Sequence, residues 1–204
     1  MFSSRLAAIG LVLFLLPLGC KPNAPKPFNP DGLAGPVISP AIPKPSFVLT
    51  ATDGTPFDFK PQTEGYITLL FYGYTHCPDV CPVHLANIAA VLRKLGPEIT
   101  RQIKVVFVTI DPARDTPEAM RAWLNNFDPS FIGLTGDSAA IQNAIQQVRI
   151  GVTPPEMSPD GKNYDIGHSA FVIAFTRDNL AHVVYPFGIR QEDWARDLPR
   201  LVKG

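Results

Sequence analysis

The sequence predicts an α/β domain, a central mixed sheet covered by helices on both faces. Three observations carry this. "YITLLFYGY" and "IKVVFVTI" are apolar runs that leave no polar face, as strands buried on both sides require. Each is followed by a stretch of helical periodicity. Later come two more strand-like runs, "SAFVIAF" and "LAHVVYPF", separated by the turn residues Thr176, Arg177, Asp178 and Asn179.

Taken in order, "SFVLTATDGTPFDF" places Asp53-Gly54 between two short apolar runs, a hairpin signal. After the first buried strand, Val80, His84, Ala86, Ile88, Val91, Leu92 and Leu95 form a mixed apolar stripe that stops at Gly96-Pro97. "DTPEAMRAWLNNF" is a second helix, with Thr116 as N-cap and Pro117 at the first helical position. "FIGLTG" is a short strand or turn, and a third helix runs from about Ser138 to Val148. "QEDWARDLPRLV" closes the chain as an amphipathic segment. Between Gly151 and Gly167, "GVTPPEMSPDGKNYDIG" holds too many prolines, glycines and turn residues for a regular element and reads as a long loop beside the site. No internal repeat is present. The order of elements resembles a thioredoxin-like fold with an added N-terminal hairpin.

This domain is expected over residues 46–204, behind two segments of different character. Residues 1–19 pair one positive charge in "MFSSR" with the uncharged run "LAAIGLVLFLLPLG", shorter than the roughly 20 residues that span a bilayer, and read as a signal peptide. Residues 20–45 read as a tether. Eight prolines between Lys21 and Pro45 oppose helix and favour an extended spacer. Cys20, after Leu18 and Gly19, resembles the lipobox of bacterial lipoproteins, with Pro17 where that pattern usually has leucine. The expectation is an exported domain held to a membrane by a lipid on Cys20 or by an uncleaved signal anchor, facing the periplasm or the outside of the cytoplasmic membrane, where disulfides persist. Lysine plus arginine equals aspartate plus glutamate, at 18 each, so no basic field exists to hold nucleic acid.

The chemistry concentrates in "FYGYTHCPDVCP", residues 71–82. Cys77 is expected at the strand-to-helix junction and Cys81 one helical turn on, so the two sulfurs converge. Free amides and the positive dipole end of a helix N-terminus favour thiolate there. A structural disulfide is the bland alternative, but so short a loop constrains the unfolded chain little. Two thiolates are too few for a structural zinc site; with one imidazole they make a soft, low-coordination site suited to copper. The third ligand comes from His76, His84, His168 or His182. His84 shares a helix face with the cysteines, but two turns separate it from Cys77, about 10 Å along the axis. His76 is adjacent to Cys77 and points elsewhere once the helix has begun. His182 lies inside the last strand, and His168 precedes a buried strand. In a thioredoxin-like sheet that turn lies beside the cysteine helix, which favours His168.

"GYTHCPDVCP", "VTIDPARDTPE" and "GHSAFVI", in this order and spacing, resemble the Sco/SenC family of membrane-tethered copper proteins over roughly residues 46–204. The resemblance implies one copper ion, Cu(I) or Cu(II), on Cys77, Cys81 and His168, with His76 and His84 as possible auxiliary ligands. It implies assembly of the binuclear copper site of cytochrome c oxidase, with that enzyme's copper-accepting subunit as partner, alongside other periplasmic copper chaperones or thiol reductants. Asp79 and Asp111 fall on acidic positions of the family motifs, with capping or loop hydrogen bonding as the competing role. Two departures stand out. His76 and His84 occupy positions where many members carry an aromatic or hydroxyl residue, and His168 follows Gly167 where an acidic residue is often found.

Two rival readings use the same cysteines. A thiol-disulfide reductase would use Cys77 and Cys81 as a redox-active pair, reducing the cysteines of the oxidase site, although thioredoxin motifs have two residues between the cysteines and "PDV" supplies three. A peroxidase would need a Thr-x-x-Cys arrangement, and Thr75 is one residue too close.

Overall fold

The computed structural model describes residues 32–159 and 161–204. The apolar run of residues 1–19, Cys20 and the tether up to residue 31 lie outside the described residues. Among the described residues, no helix is long and apolar enough to cross a membrane.

The elements are β1 (Val37–Pro43), β2 (Val48–Ala51), β3 (Pro56–Asp58), α1 (Phe59–Thr63), β4 (Ile67–Gly73), α2 (Val80–Leu95), α3 (Pro97–Thr100), β5 (Ile103–Thr109), α4 (Pro117–Leu124), β6 (Ile132–Thr135), α5 (Ser138–Val148), β7 (Glu156–Met157), β8 (Tyr164–Asp165), β9 (Phe171–Phe175), β10 (Leu180–Pro186) and α6 (Gln191–Lys203). Eight strands form one sheet in the order β1-β10-β9-β4-β5-β6-β2-β3. The β4-β5-β6 centre is parallel and the flanking pairs are antiparallel, which makes the expected mixed sheet of a thioredoxin-like fold.

Because successive strand residues face opposite sides, the central strands feed two cores. Ile67, Leu69 and Phe71 of β4 join Val105 and Phe107 of β5 beneath α2, α4 and α6, with Leu85, Ile88, Met120 and Trp194. Leu70 and Tyr72, with Val106 and Val108, face the other way onto Phe59 of α1 and Ile141, Ala144 and Ile145 of α5. Every residue of β4 is buried. Local signals hold as expected: Thr116 caps α4 by accepting from the Ala119 N–H at 3.2 Å, and Gly96, at φ 74°, ends α2.

The tether expectation requires correction at its C-terminal end. β1, inside the span assigned to an extended spacer, pairs antiparallel with β10, so the folded unit begins before Ser46. The buried carboxylate of Asp197 on α6 accepts from the Ala34 N–H at 2.7 Å and from the Tyr185 hydroxyl at 3.2 Å, tying the incoming chain to the helix. The prolines of this stretch are tolerated because β1 is a sheet edge. Residues 151–167 are likewise not free of structure. β7 and β8 form a two-stranded ribbon, and Val152 bridges His168.

Candidate metal centre

β9 pairs antiparallel with β4, Val172 opposite Phe71, so the exit of β4 and the entrance of β9 lie side by side at one end of the sheet. Cys77 follows that exit and His168 precedes that entrance. This is how two segments remote in sequence meet. The ligand atoms of Cys77, Cys81 and His168 all lie within 4.8 Å of one another, and the group can hold a metal ion.

α2 begins at Val80, so Cys77 stands in the loop before it rather than on its first turn. Convergence therefore comes from the helix N-terminus: the Cys81 N–H, unpaired within the helix, points to Cys77 Sγ at 3.5 Å. Asp79 caps this end, accepting from the Val80 N–H. Both cysteines are free, Cys77 half-buried and Cys81 fully buried. Room for the Cys81 sulfur is made by Gly73, where a Cβ would sit 2.7 Å from it and 2.9 Å from the Phe107 ring.

The two thiols are unlike. A hydrogen bond from the Cys81 thiol holds Cys77 far below the ordinary thiol range against the opposing effect of burial, with the Cys81 and Asp79 amides assisting. Cys81 is pushed up by holding that shared proton, by burial and by the neighbouring Cys77 charge. Both shifts favour charge on Cys77 and a proton on Cys81.

His168 presents Nε2 to Cys81 Sγ at 3.6 Å, while its Nδ1 lies 3.3 Å from the Ser169 carbonyl oxygen. A carbonyl can only accept, so Nδ1 carries the proton and the Nε2 lone pair is left to face the sulfurs. A backbone carbonyl therefore orients the ring in place of the acidic neighbour that Gly167 does not supply. The backbone on either side of His168 is bound to residues 151–153: the Thr153 N–H donates to Gly167 O at 2.7 Å and the Ser169 N–H to Gly151 O at 2.9 Å.

The other sequence candidates lie outside this group, His76 and His84 beside it and His182 at the far end of the sheet. His76 is half-exposed, with Nδ1 3.1 Å from Thr75 Oγ1 and 3.7 Å from Asp115 Oδ1. His84 is buried, its charged form disfavoured by that burial, and its Nε2 meets the Ala170 carbonyl at 3.4 Å. His182 is a surface residue paired with Asp178 at 2.7 Å. Asp111 is buried and serves the loops. It binds Arg114 and accepts from the Tyr164 hydroxyl at 2.8 Å, and Arg114 in turn stacks on the Tyr164 ring at 3.5 Å. This latch holds the β7-β8 ribbon against the domain.

Sequence reasoning missed Asp115, which is fully buried. It accepts from the Thr75 N–H at 3.0 Å, from the Thr75 hydroxyl and from the Thr109 hydroxyl at 2.7 Å, fixing the loop that carries Cys77. Its signal was its place four residues after Asp111 in "DPARD", inside a motif already singled out. Gly73 carried the same kind of signal, as the first residue of "GYTHCPDVCP", whereas Tyr164 lies outside the three family-like motifs.

Fold and geometry define a thioredoxin-like domain with a two-thiol, one-imidazole group at the exposed end of its sheet. The chain belongs to the SCO1/SenC family, whose sequence profile matches residues 38–203. It is 35% identical over 129 residues to an SCO2-like protein of Rickettsia prowazekii, a match covering 61% of this chain and 60% of that protein's length. Among solved structures, copper-bound ScoI of Bradyrhizobium japonicum shares 36% identity at a TM-score of 0.70, covering 79% of this chain and 99% of that one. Copper-bound yeast Sco1 shares 27% identity at a TM-score of 0.71, covering 81% and 90%.

Proposed function

We propose that this domain is a copper metallochaperone that carries one copper ion, Cu(I) or Cu(II), on Cys77, Cys81 and His168. The ion is cargo, delivered to the copper-accepting subunit of cytochrome c oxidase, the partner that the family likeness implies. The observation that carries the reading is the convergence of two sulfurs and one imidazole nitrogen within 4.8 Å, a donor set that suits copper. The copper-bound state of two Sco relatives supports it. In the proposed cycle, Cys77 meets the ion as a thiolate, Cys81 surrenders its proton on binding, and His168 closes the site through Nε2. Release proceeds by exchange of these sulfurs for those of the acceptor. Parting of the bonds between residues 151–153 and 167–169 would let His168 withdraw. An N-terminal anchor, through Cys20 or the apolar run before it, would hold the domain at the membrane on the periplasmic side.

A second reading rests on the inequality of the two cysteines. As a dedicated reductase, Cys77 thiolate would attack a partner disulfide and form a mixed disulfide. Cys81 would then displace it, leaving two thiols on the partner and a Cys77–Cys81 disulfide here.

Anaerobic titration of the reduced full chain with Cu(I), against a strong chromophoric competitor, separates the two. One tight equivalent, weakened mainly in His168→Ala, is expected. No competitive binding, with the pair instead cycling between dithiol and disulfide, would transfer the function to the reductase.

A further inference from the structure

Two side chains one helical turn apart on α2, Cys81 and His84, reach two residues at the entrance of β9, His168 and Ala170. Cys81 Sγ meets His168 Nε2 at 3.6 Å, and His84 Nε2 meets the Ala170 carbonyl at 3.4 Å. That carbonyl also accepts the Phe187 N–H at 3.2 Å, which fixes β9 to the turn after β10. The His84 ring is held between aromatic neighbours, 5.1 Å from Phe71 and in edge contact with Phe187 at 5.5 Å. Phe71 in turn lies 6.3 Å from the His168 ring, so one phenyl separates the two imidazoles.

These contacts turn His84 away from the role of ligand. The carbonyl accepts, so Nε2 of His84 carries a proton and has no lone pair to offer. Burial disfavours the charged form of the ring, while the Ala170 carbonyl opposes that effect by accepting from Nε2. Residues 151–153 hold the backbone on both sides of His168, at Gly167 and Ser169, and this link to α2 fixes Ala170, one residue further on. We propose that His84 is a positioning residue: by tying Ala170 to the cysteine helix it sets the approach of the His168 imidazole to Cys81. This rests on the copper reading for its consequence, though not for its geometry.

The test compares a donor with non-donors in the full chain. Glutamine places an amide N–H at nearly the reach of Nε2, whereas phenylalanine fills the same slot between Phe71 and Phe187 without a donor. Three quantities are read: the His168 ring signals of the reduced, copper-free protein by NMR, the thiolate-to-copper absorption and EPR parameters of the Cu(II) form, and Cu(I) affinity by competition. His84→Phe is expected to keep a melting temperature near that of the wild type, shift the His168 ring signals, alter the Cu(II) spectrum and weaken copper roughly 10–100-fold, the usual effect of losing a contact that orients a ligand. His84→Gln is expected to restore all three.

Unchanged ring signals, spectrum and affinity in His84→Phe would overturn the inference. So would a glutamine variant that loses copper as completely as His168→Ala, since that marks a ligand. If His84→Phe does not fold, His84→Met against His84→Gln carries the same comparison. A wild type that binds no copper would refute the proposed function alone, and the copper-free ring signals would still decide the role of His84.

Discussion

His168 Nε2 stands 3.6 Å from Cys81 Sγ, although 87 positions separate the two residues along the chain. The pairing of β9 with β4 produces this contact, and the Ser169 carbonyl settles which ring nitrogen faces the sulfur. The geometry of this group is therefore sensitive to substitutions at positions other than Cys77, Cys81 and His168.

Gly73→Ala tests the space left for the buried sulfur. A methyl group there meets Cys81 Sγ and the Phe107 ring at distances that real side chains do not tolerate, so Cys81 must move. Overpacking of this kind costs about 1–3 kcal/mol. Denaturant unfolding should show that loss, and Cu(I) competition should show weaker binding; wild-type values in both would mean that the sulfur has other room.

Asp115→Asn addresses the loop before the helix. An amide nitrogen would face N–H or O–H donors from Thr75 and Thr109 that now point at carboxylate oxygens. Leaving buried donors unmatched costs roughly 1–3 kcal/mol each. Faster amide hydrogen exchange at Thr75 and Cys77 than elsewhere in the variant is the expected signature.

The place of β1 in the sheet predicts the effect of truncation. A chain starting at Ser46 loses the strand that covers β10 and exposes an unpaired apolar edge, a template for association. Compared with a chain starting at Gly32, it should melt earlier and run as larger species on size exclusion. Asp197→Ala in the longer chain should reproduce part of the loss, by roughly 1–3 kcal/mol, because the Ala34 N–H and Tyr185 hydroxyl lose their acceptor.

Lys44 gives the pH dependence. Its ammonium is buried against the Thr63 carbonyl and the Thr68 hydroxyl, and burial pushes its pKa down to about 8 despite Glu64 and Asp178. Between that value and the ordinary lysine value of about 10.4, the unfolded chain binds a proton that the folded one does not, so stability rises with pH. The difference in unfolding free energy between the wild type and Lys44→Met should therefore shift in favour of the wild type from about pH 8 to pH 10. A flat difference would show that Lys44 titrates normally.

Much of this was legible along the chain. The two unbroken apolar runs had to be central strands because nothing in them could face water, and Thr116-Pro117 and Gly96 marked helix ends by chemistry that acts within a few residues. The cysteine pair announced a reactive site by its place before a helix. What sequence alone could not supply was anything carried by contacts between distant segments. β1 was read as spacer because its prolines are a local signal, while its pairing with β10 is not. Cys77 stands at the expected strand-to-helix junction, but the helix starts only at Val80, so the Cys81 amide, and not a shared helix face, brings the two sulfurs together. His84 and His168 could be ranked by residue spacing and fold analogy, but the direction in which each ring nitrogen points depends on two carbonyls, Ala170 and Ser169, whose positions follow from the packing of the whole sheet. Composition and periodicity determined the class of fold and the class of chemistry, because burial and helix capping are local demands. Tertiary structure decided the ligand geometry, because hydrogen-bond direction across the β4-β9 junction exists only once the strands have paired.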